Sequence, residues 1–364
     1  MRIIFRVDSS LEIGTGHVMR CLTLADSLHE HGAECTFICR LQNGHLLDLI
    51  VQHGHRFIGL PILVNEEKIA ATNESHSTSL GIDWTTDAQQ TLEAIGAEMV
   101  DYLVVDHYAL DQCWEEYLRP SCSQLVVIDD LANRPHDCDV LLDQNLGRTA
   151  TDYLHLLDPS TLRLIGPKYA LLRPEFAELR SRSLARRTIP QLKQLLITMG
   201  GMDKENVTGK VLSALKVSKL PEDLCITVVL GSNTPWFQQV MAQAQEMQRP
   251  TQVLVGLRNM AQIMVESDLA IGAAGGTAWE RCCLGLPSVL LVLAENQRAG
   301  SDALQRAGAA INLQGAAEIP RLIQKLQLSG YEHSILNHMG IAAASIVDGE
   351  GVARVVGILI DKHV

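Results

Sequence analysis

Two glycine-rich turns hold the residues of this 364-residue chain that are best suited to chemistry. The first, Asp8-Ser-Ser-Leu-Glu-Ile-Gly14-Thr-Gly16-His17-Val-Met-Arg20, follows the apolar run Ile3 to Val7 and leads into an amphipathic stretch. The second, Gly272-Ala-Ala-Gly275-Gly276-Thr277-Ala-Trp-Glu280, follows apolar Leu269 to Ile271 and precedes the apolar run Ser288 to Leu293. Glycine lets the backbone turn sharply and leaves N–H groups bare. A helix opening at Thr277 adds unpaired donors and a partial positive charge, a combination that suits a phosphate or diphosphate. Glu280, one turn further on, is too far for those phosphates and well placed for two sugar hydroxyls. A nucleotide ligand follows. A glycine pair alone is more often a tight strand-to-helix connection; two such loops in two halves of the chain are what a binding cleft needs.

The elements that must position these loops are legible as alternating apolar runs. Strands are expected at Ile3 to Val7, Cys35 to Arg40, Phe57 to Leu60, Leu103 to Asp106, Leu125 to Asp129 and Val140 to Asp143. Helices are expected near Val18 to His31, Leu46 to His53, Thr86 to Gly96 and Gln112 to Leu118. Apolar strands separated by helices imply a parallel sheet covered on both faces, with ligands beyond the carboxyl ends of the strands. Asp8, Asp106-His107-Tyr108 and Asp129-Asp130 all stand at such ends. The pattern restarts at Gln194-Leu-Leu-Ile-Thr-Met-Gly200-Gly201-Met-Asp203. Further strands follow at Ile226 to Leu230, Gln252 to Val255, Leu269 to Gly272, Ser288 to Leu293 and Ala310 to Leu313.

The fold class expected is therefore α/β, two Rossmann-type parallel-sheet domains facing across a cleft. The N-terminal domain takes residues 1–178, a basic, proline-bounded linker residues 179–190, and the C-terminal domain residues 191–364. A last apolar helix near Val352 to Ile360 has the composition to pack back on the N-terminal domain. The polar, non-periodic segment from Pro61 to Asp83 reads as a long surface loop or lid.

Composition narrows the function. Hydrophobic residues make up 47% of the chain, enough for two cores, and the net charge of −12 argues against nucleic acid or an anionic membrane as a bulk partner. No run approaches the ~20 apolar residues that span a bilayer, and the start lacks a signal peptide's apolar core, so a cytoplasmic protein is expected. Nine cysteines without a Cys-x-x-Cys pair indicate neither a zinc knuckle nor a disulfide framework. No feature specifies an oligomer.

Taken together, Arg6-x-Asp8 with Ile13-Gly-Thr-Gly-His17-Val-Met-Arg20-Cys-Leu-x-Leu-Ala25, Gly200-Gly-x-Asp203, Gly275-Gly-x-Ala-Trp-Glu280-Arg-Cys-x-Leu-Gly-Leu-Pro287 and Glu295-Asn-Gln297 resemble the UDP-2,4-diacetamido-2,4,6-trideoxy-β-L-altropyranose hydrolases of bacterial pseudaminic acid synthesis. That route serves flagellin or surface-glycan glycosylation. The resemblance covers both domains, and single pieces of it are shared with the wider GT-B superfamily. It implies a GT-B-like fold and hydrolysis of the UDP-sugar at the anomeric carbon with inversion, without a metal or cofactor. Water at neutral pH needs a base, and histidine has a suitable reference pKa of ~6.5; His17, just after the first glycine turn, is the choice.

The family pattern sets UDP against Gly275, Gly276, Thr277 and Glu280, with Glu280 on the ribose and Asn296 and Gln297 facing the sugar. In Val255-Gly-Leu-Arg-Asn-Met260, Leu257 and Met260 either flank uracil or belong to the core. Gly14 and Gly16 shape the loop before His17. Asp8 either orients His17 or substrate, or anchors the loop through backbone N–H groups. Arg20 either contacts phosphate or pairs with Asp8, and Tyr108 either covers the acetamido sugar or anchors structure through its hydroxyl. An inverting pair of carboxylates, with Asp8 or Asp106 among them, ranks below the histidine base. A GT-B glycosyltransferase or UDP-sugar epimerase acting on a UDP-amino-sugar is the alternative activity, and a non-catalytic sugar-nucleotide-binding protein ranks third. A dinucleotide site at Gly14-Thr-Gly16 fails because Met19 stands where the third glycine is needed.

Overall fold

The computed structural model describes residues 1–62, 80–201, 203–232, 234–257, 259–327 and 331–363. The chain divides into two compact units, Met1–Leu171 with Gly351–Val364, and Leu172–Glu350.

In the first unit seven parallel strands, β1 (Arg2–Val7), β2 (Glu34–Arg40), β3 (Arg56–Leu60), β4 (Val100–Asp106), β5 (Cys122–Ile128), β6 (Val140–Asp143) and β7 (Leu162–Ile165), pair in the order β3-β2-β1-β4-β5-β6-β7. Alternation along β1 feeds two cores. Ile3, Phe5 and Val7 pack with helix Gly16–Glu30 on one face, and Ile4 packs on the other with Trp114, Leu118 and Ala88 from helices Gln112–Leu118 and Trp84–Ile95. Both faces are apolar because both are covered, as parallel strands joined by crossover helices require.

In the second unit six parallel strands, β8 (Gln194–Thr198), β9 (Cys225–Leu230), β10 (Thr251–Val255), β11 (Leu269–Ala273), β12 (Ser288–Leu291) and β13 (Ala310–Leu313), pair in the order β10-β9-β8-β11-β12-β13. In each sheet the order reverses beside the first strand, between β1 and β4 and between β8 and β11. That switch point opens a crevice at the carboxyl ends of the strands. The loop carrying His17 follows β1, and the loop carrying Gly275 follows β11.

The structure differs from the sequence expectation at two places. Residues 179–190 are not a free linker, because helix Pro174–Arg186 runs through most of them. Arg180 donates to the carbonyls of Cys283 and Ala344, and Arg187 donates to Leu284, Ser267 and Met264 at 2.8–3.0 Å. Several of these carbonyls belong to the last turns of helices Met260–Glu266 and Thr277–Cys283, which lack intrahelical donors and attract cations. A charge run that looks solvated in sequence is thus consumed by helix ends.

The strand β7 was not anticipated, since Leu162-Arg-Leu-Ile165 alternates too briefly to stand out. The last helix, Gly351–His363, packs on the first unit as its apolar composition suggests: Val352, Val355, Val356 and Leu359 enter that unit's core, and Tyr102 Oη donates to the Leu359 carbonyl at 2.6 Å. Of the expected loop from Pro61 to Asp83, residues 63–79 lie outside the described residues. Asp83 caps helix Trp84–Ile95 by accepting the Thr86 N–H at 3.0 Å.

Candidate functional site

The rim of the first sheet is built on a turn that Ser10 organises. Its hydroxyl accepts the N–H groups of Glu12 and Ile13 at 3.1 and 3.0 Å, its carbonyl accepts Gly14 N–H at 2.8 Å, and Gly14 takes a φ of +86°. Only a residue without Cβ occupies that region at no cost. A Cβ on Gly14 or Gly16 would meet nothing within 4 Å, so the loop borders open space. The turn delivers His17 as the second residue of helix Gly16–Glu30.

His17 is nearly buried, with 8% exposure. Its Nδ1 lies 2.6 Å from Asp106 Oδ1 at the end of β4. Asp106 is buried and also accepts Arg20 Nε at 2.6 Å and Nη2 at 2.7 Å. Burial alone would raise its pKa, but the Arg20 guanidinium and His17 hold it well below the usual carboxylate range. An ionised carboxylate only accepts, so Nδ1 turns its proton to Asp106, and in the neutral imidazole the lone pair then falls on Nε2. That is the tautomer of a general base.

Tyr108 closes the other side of the imidazole, edge-on at 4.6 Å between ring centres, and its hydroxyl donates to Asp130 Oδ2 at 2.9 Å. Arg20 reaches the same oxygen at 2.8 Å. Arg20 therefore bridges Asp106 and Asp130 and does not pair with Asp8, a correction to one of its two expected roles. The reason is helix geometry: residue 20 is one turn after residue 17, so both side chains meet the carboxylate at the neighbouring strand end.

Asp8 is also corrected. It is fully buried, accepts Arg6 Nη1 and Nη2 at 2.7 and 3.0 Å and the Arg40 N–H at 2.7 Å, and makes no hydrogen bond with His17. Arg6 and Arg40 in turn share Asp87, which also accepts the Trp114 indole N–H at 3.0 Å. This cluster fixes β1 to β2 and to helix Trp84–Ile95; Asp106 takes the orienting role assigned to Asp8.

Behind the His17 rim stands a group the sequence did not single out. Asn145 Nδ2 donates to Asp130 Oδ1 at 3.1 Å and to Asp143 Oδ1 at 2.8 Å, and Tyr153 Oη bridges Asp129 and Asp143 at 3.0 and 2.9 Å. Burial, with the neighbouring Asp130 charge, pushes the Asp143 carboxyl up to about 7. The only sequence signal was position: Asp106, Asp129 and Asp143 each end or follow a parallel strand.

In the second unit Gly275, Gly276 and Thr277 form the turn into helix Thr277–Cys283. Ala278 and Trp279 N–H groups are spent on the Gly275 and Gly276 carbonyls, at 2.8 and 3.0 Å, whereas those of Gly275, Gly276 and Thr277 meet no acceptor among the described residues. Gln297 stands beside the turn: its Nε2 is 3.5 Å from where a Cβ on Gly275 would be, and its Oε1 accepts Leu293 N–H at 3.1 Å. Asn296 is exposed next to it.

Glu280 is half-buried and its carboxyl is pushed up to about 7 by burial, with Arg173 and Arg281 opposing in part. Met260 is buried at the start of helix Met260–Glu266 and Leu257 is half-buried, while Arg258 lies outside the described residues. Met260 thus fits the core alternative. Asp203 caps helix Val207–Lys216 through the N–H groups of Val207 and Thr208, both 2.7 Å, so the Gly200-Gly201-x-Asp203 motif builds structure. Among the described residues no group of three or more His, Cys, Asp or Glu is arranged to hold a metal ion, and no helix is long and apolar enough to cross a membrane.

Comparison with known proteins accords with this layout. Residues 194–347 match the glycosyltransferase family 28 C-terminal domain. Over 308 residues the chain is 25% identical to the UDP-2,4-diacetamido-2,4,6-trideoxy-β-L-altropyranose hydrolase of Campylobacter jejuni, covering 85% of this chain and 97% of that protein. The chain is also similar to the uncharacterized protein MJ1062 of Methanocaldococcus jannaschii, at 26% identity over 82% of this chain, and spans 57% of that longer relative. The crystal structure of MurG from Acinetobacter baumannii superposes with a TM-score of 0.69 at 16% identity, covering 99% of each chain. The chain therefore has the α/β GT-B fold.

Proposed function

We propose that the protein hydrolyses a UDP-sugar at its anomeric carbon, with UDP-2,4-diacetamido-2,4,6-trideoxy-β-L-altropyranose as the substrate, in pseudaminic acid biosynthesis. The observation that carries the proposal is the Asp106–His17 pair, 2.6 Å apart, which leaves Nε2 of a neutral imidazole as the proton acceptor. His17 Nε2 takes a proton from water as the water oxygen bonds to the anomeric carbon from the face opposite the leaving group. The bond from that carbon to the diphosphate oxygen breaks, and UDP leaves with the electron pair. Inversion follows from the single displacement.

UDP is a stabilised anion that needs no strong acid, provided that donors meet its charge. The free N–H groups of Gly275, Gly276 and Thr277 supply such donors, and Glu280 accepts the ribose hydroxyls. Asn296 and Gln297 serve the sugar, as does Tyr108. Similarity to the Campylobacter hydrolase supports the substrate class.

A second reading, transfer of the sugar to an acceptor other than water, draws on the glycosyltransferase family 28 match. The two separate in one NMR experiment with the UDP-sugar and EDTA, water being the sole acceptor. Release of UDP and free sugar, the first-formed anomer inverted, supports hydrolysis; an intact UDP-sugar in a folded, UDP-binding protein refutes it and favours transfer.

A further inference from the structure

Arg281 has no role in the reaction proposed above, yet its setting is unusual for a cation. The side chain is 1% exposed and among the largest fully buried in the protein. It runs back along helix Thr277–Cys283, as helical side chains do, to lie beneath the glycine loop. Nη2 donates to the Ala273 carbonyl at 2.7 Å and Nη1 to Thr277 Oγ1 at 3.2 Å, while Nε has no partner among the described residues. No described carboxylate forms an ion pair with it. Gly272 makes the room: a Cβ there would stand 2.8 Å from both Arg281 Nη1 and the Thr198 carbonyl.

Burying a charge without a counter-ion is costly. Burial pulls the Arg281 pKa down to about 10, with Cys282 and Glu280 opposing. Arg187 is an internal contrast. It too is pulled down to about 10, chiefly by burial, but its three carbonyl partners lie at helix C-terminal ends, where a cation is favoured. Arg281 instead brings its charge to the N-terminal end of its own helix, where the peptide dipoles already disfavour it. A bound anion at the loop relieves both costs.

The geometry points to Arg281 as a positioning residue that places an uncompensated positive charge behind the Gly275–Thr277 turn and thereby sets the preference for a nucleoside diphosphate over the uncharged nucleoside. The inference rests on the nucleotide reading of this loop and deepens it. Arg281 does not touch the ligand in this scheme. It acts through Thr277, whose hydroxyl it holds, and through the field of its own buried charge.

Isothermal titration of the full chain with UDP and with uridine at pH 7 tests it. The wild type is expected to bind UDP at least tenfold more tightly than uridine. Arg281→Gln, which keeps a donor for the Ala273 carbonyl, and Arg281→Met are both expected to lose that preference with uridine affinity changed less than twofold. Arg281→Lys restores a charge and is expected to recover most of the preference. Should one of the neutral variants fail to fold, the other carries the comparison.

A folded neutral variant that keeps the wild-type preference overturns the inference, as does an equal loss of both ligands, which marks a merely structural arginine. A lysine variant as poor as the glutamine one overturns the charge argument. Failure of the wild type to bind UDP would remove the nucleotide reading itself, an outcome distinct from all of these.

Discussion

The two sheets present their carboxyl ends in the same topology but balance charge in opposite ways. At the first rim every fully buried arginine meets carboxylates: Arg6 meets Asp8 and Asp87, and Arg40 meets Asp87. Nearly buried Arg20 meets Asp106 and Asp130. At the second rim Arg281 is as deeply buried and meets only a carbonyl and a hydroxyl. A neutralised rim is finished without ligand and holds a histidine in one tautomer. A rim left with excess positive charge is completed by an anion. On the function proposed, the difference separates the rim that would hold the base from the rim that would meet the diphosphate.

The largest effect is expected from His17→Ala, which should lower turnover of the UDP-sugar by roughly 10²–10⁴-fold while leaving UDP affinity unchanged, the range for loss of a positioned base. Asp106→Asn should approach it, because a neutral amide no longer enforces the Nδ1–H tautomer. Full turnover in His17→Ala, measured by UDP release, removes the base from the first rim.

Next comes stability. Asp87→Ala removes the carboxylate that Arg6 and Arg40 share, leaving Arg6 with Asp8 alone and Arg40 with no carboxylate, and should cost about 3–5 kcal/mol in urea unfolding of the ligand-free protein. Arg281→Met should change that stability by about 1 kcal/mol or less, since the charge it removes was never paired. Equal losses would erase the contrast between the rims.

A smaller effect concerns pH. The folded-state Asp143 carboxyl titrates at about 7, above the ordinary carboxylate value, so the folded protein binds a proton that the unfolded chain has released. Its contribution is complete below about pH 4 and is lost as pH rises through about 7, on the order of 2–4 kcal/mol in all. Asp143→Asn should flatten the stability profile between pH 5 and pH 8; a profile as steep as the wild type's assigns the slope to other groups.

The smallest is at Glu280. Ionising at about 7, it should accept ribose hydroxyls better at pH 8 than at pH 6, raising uridine affinity roughly fivefold. Glu280→Gln should be flat across that window, as read by calorimetry.

Much of the fold was legible because parallel α/β sheets write themselves in short apolar runs separated by amphipathic ones. β1, β8 and β11 coincide with runs read directly, and so does helix Gln112–Leu118. The loops carrying His17 and Gly275 were found because glycine appears where a turn needs it. Arg20 and Tyr108 were found as residues, but their partner Asp130 was seen only as one of several acids at strand ends. Asp8 was misassigned for a local reason: it opens the glycine-rich loop that carries His17, whereas Asp106, 89 residues away in the chain, lies 2.6 Å from the imidazole.

The sequence by itself determined the α/β class, the two glycine turns and the histidine beside one of them, since these follow from periodicity and from the conformational freedom of glycine. Only the tertiary structure decided which carboxylate orients His17, that the basic run after Pro174 caps helix ends, and that Arg281 is buried without a counter-ion. Pairing between charges depends on which strand ends the crossover helices bring together, and residues 17 and 106 become neighbours only when β1 and β4 lie side by side.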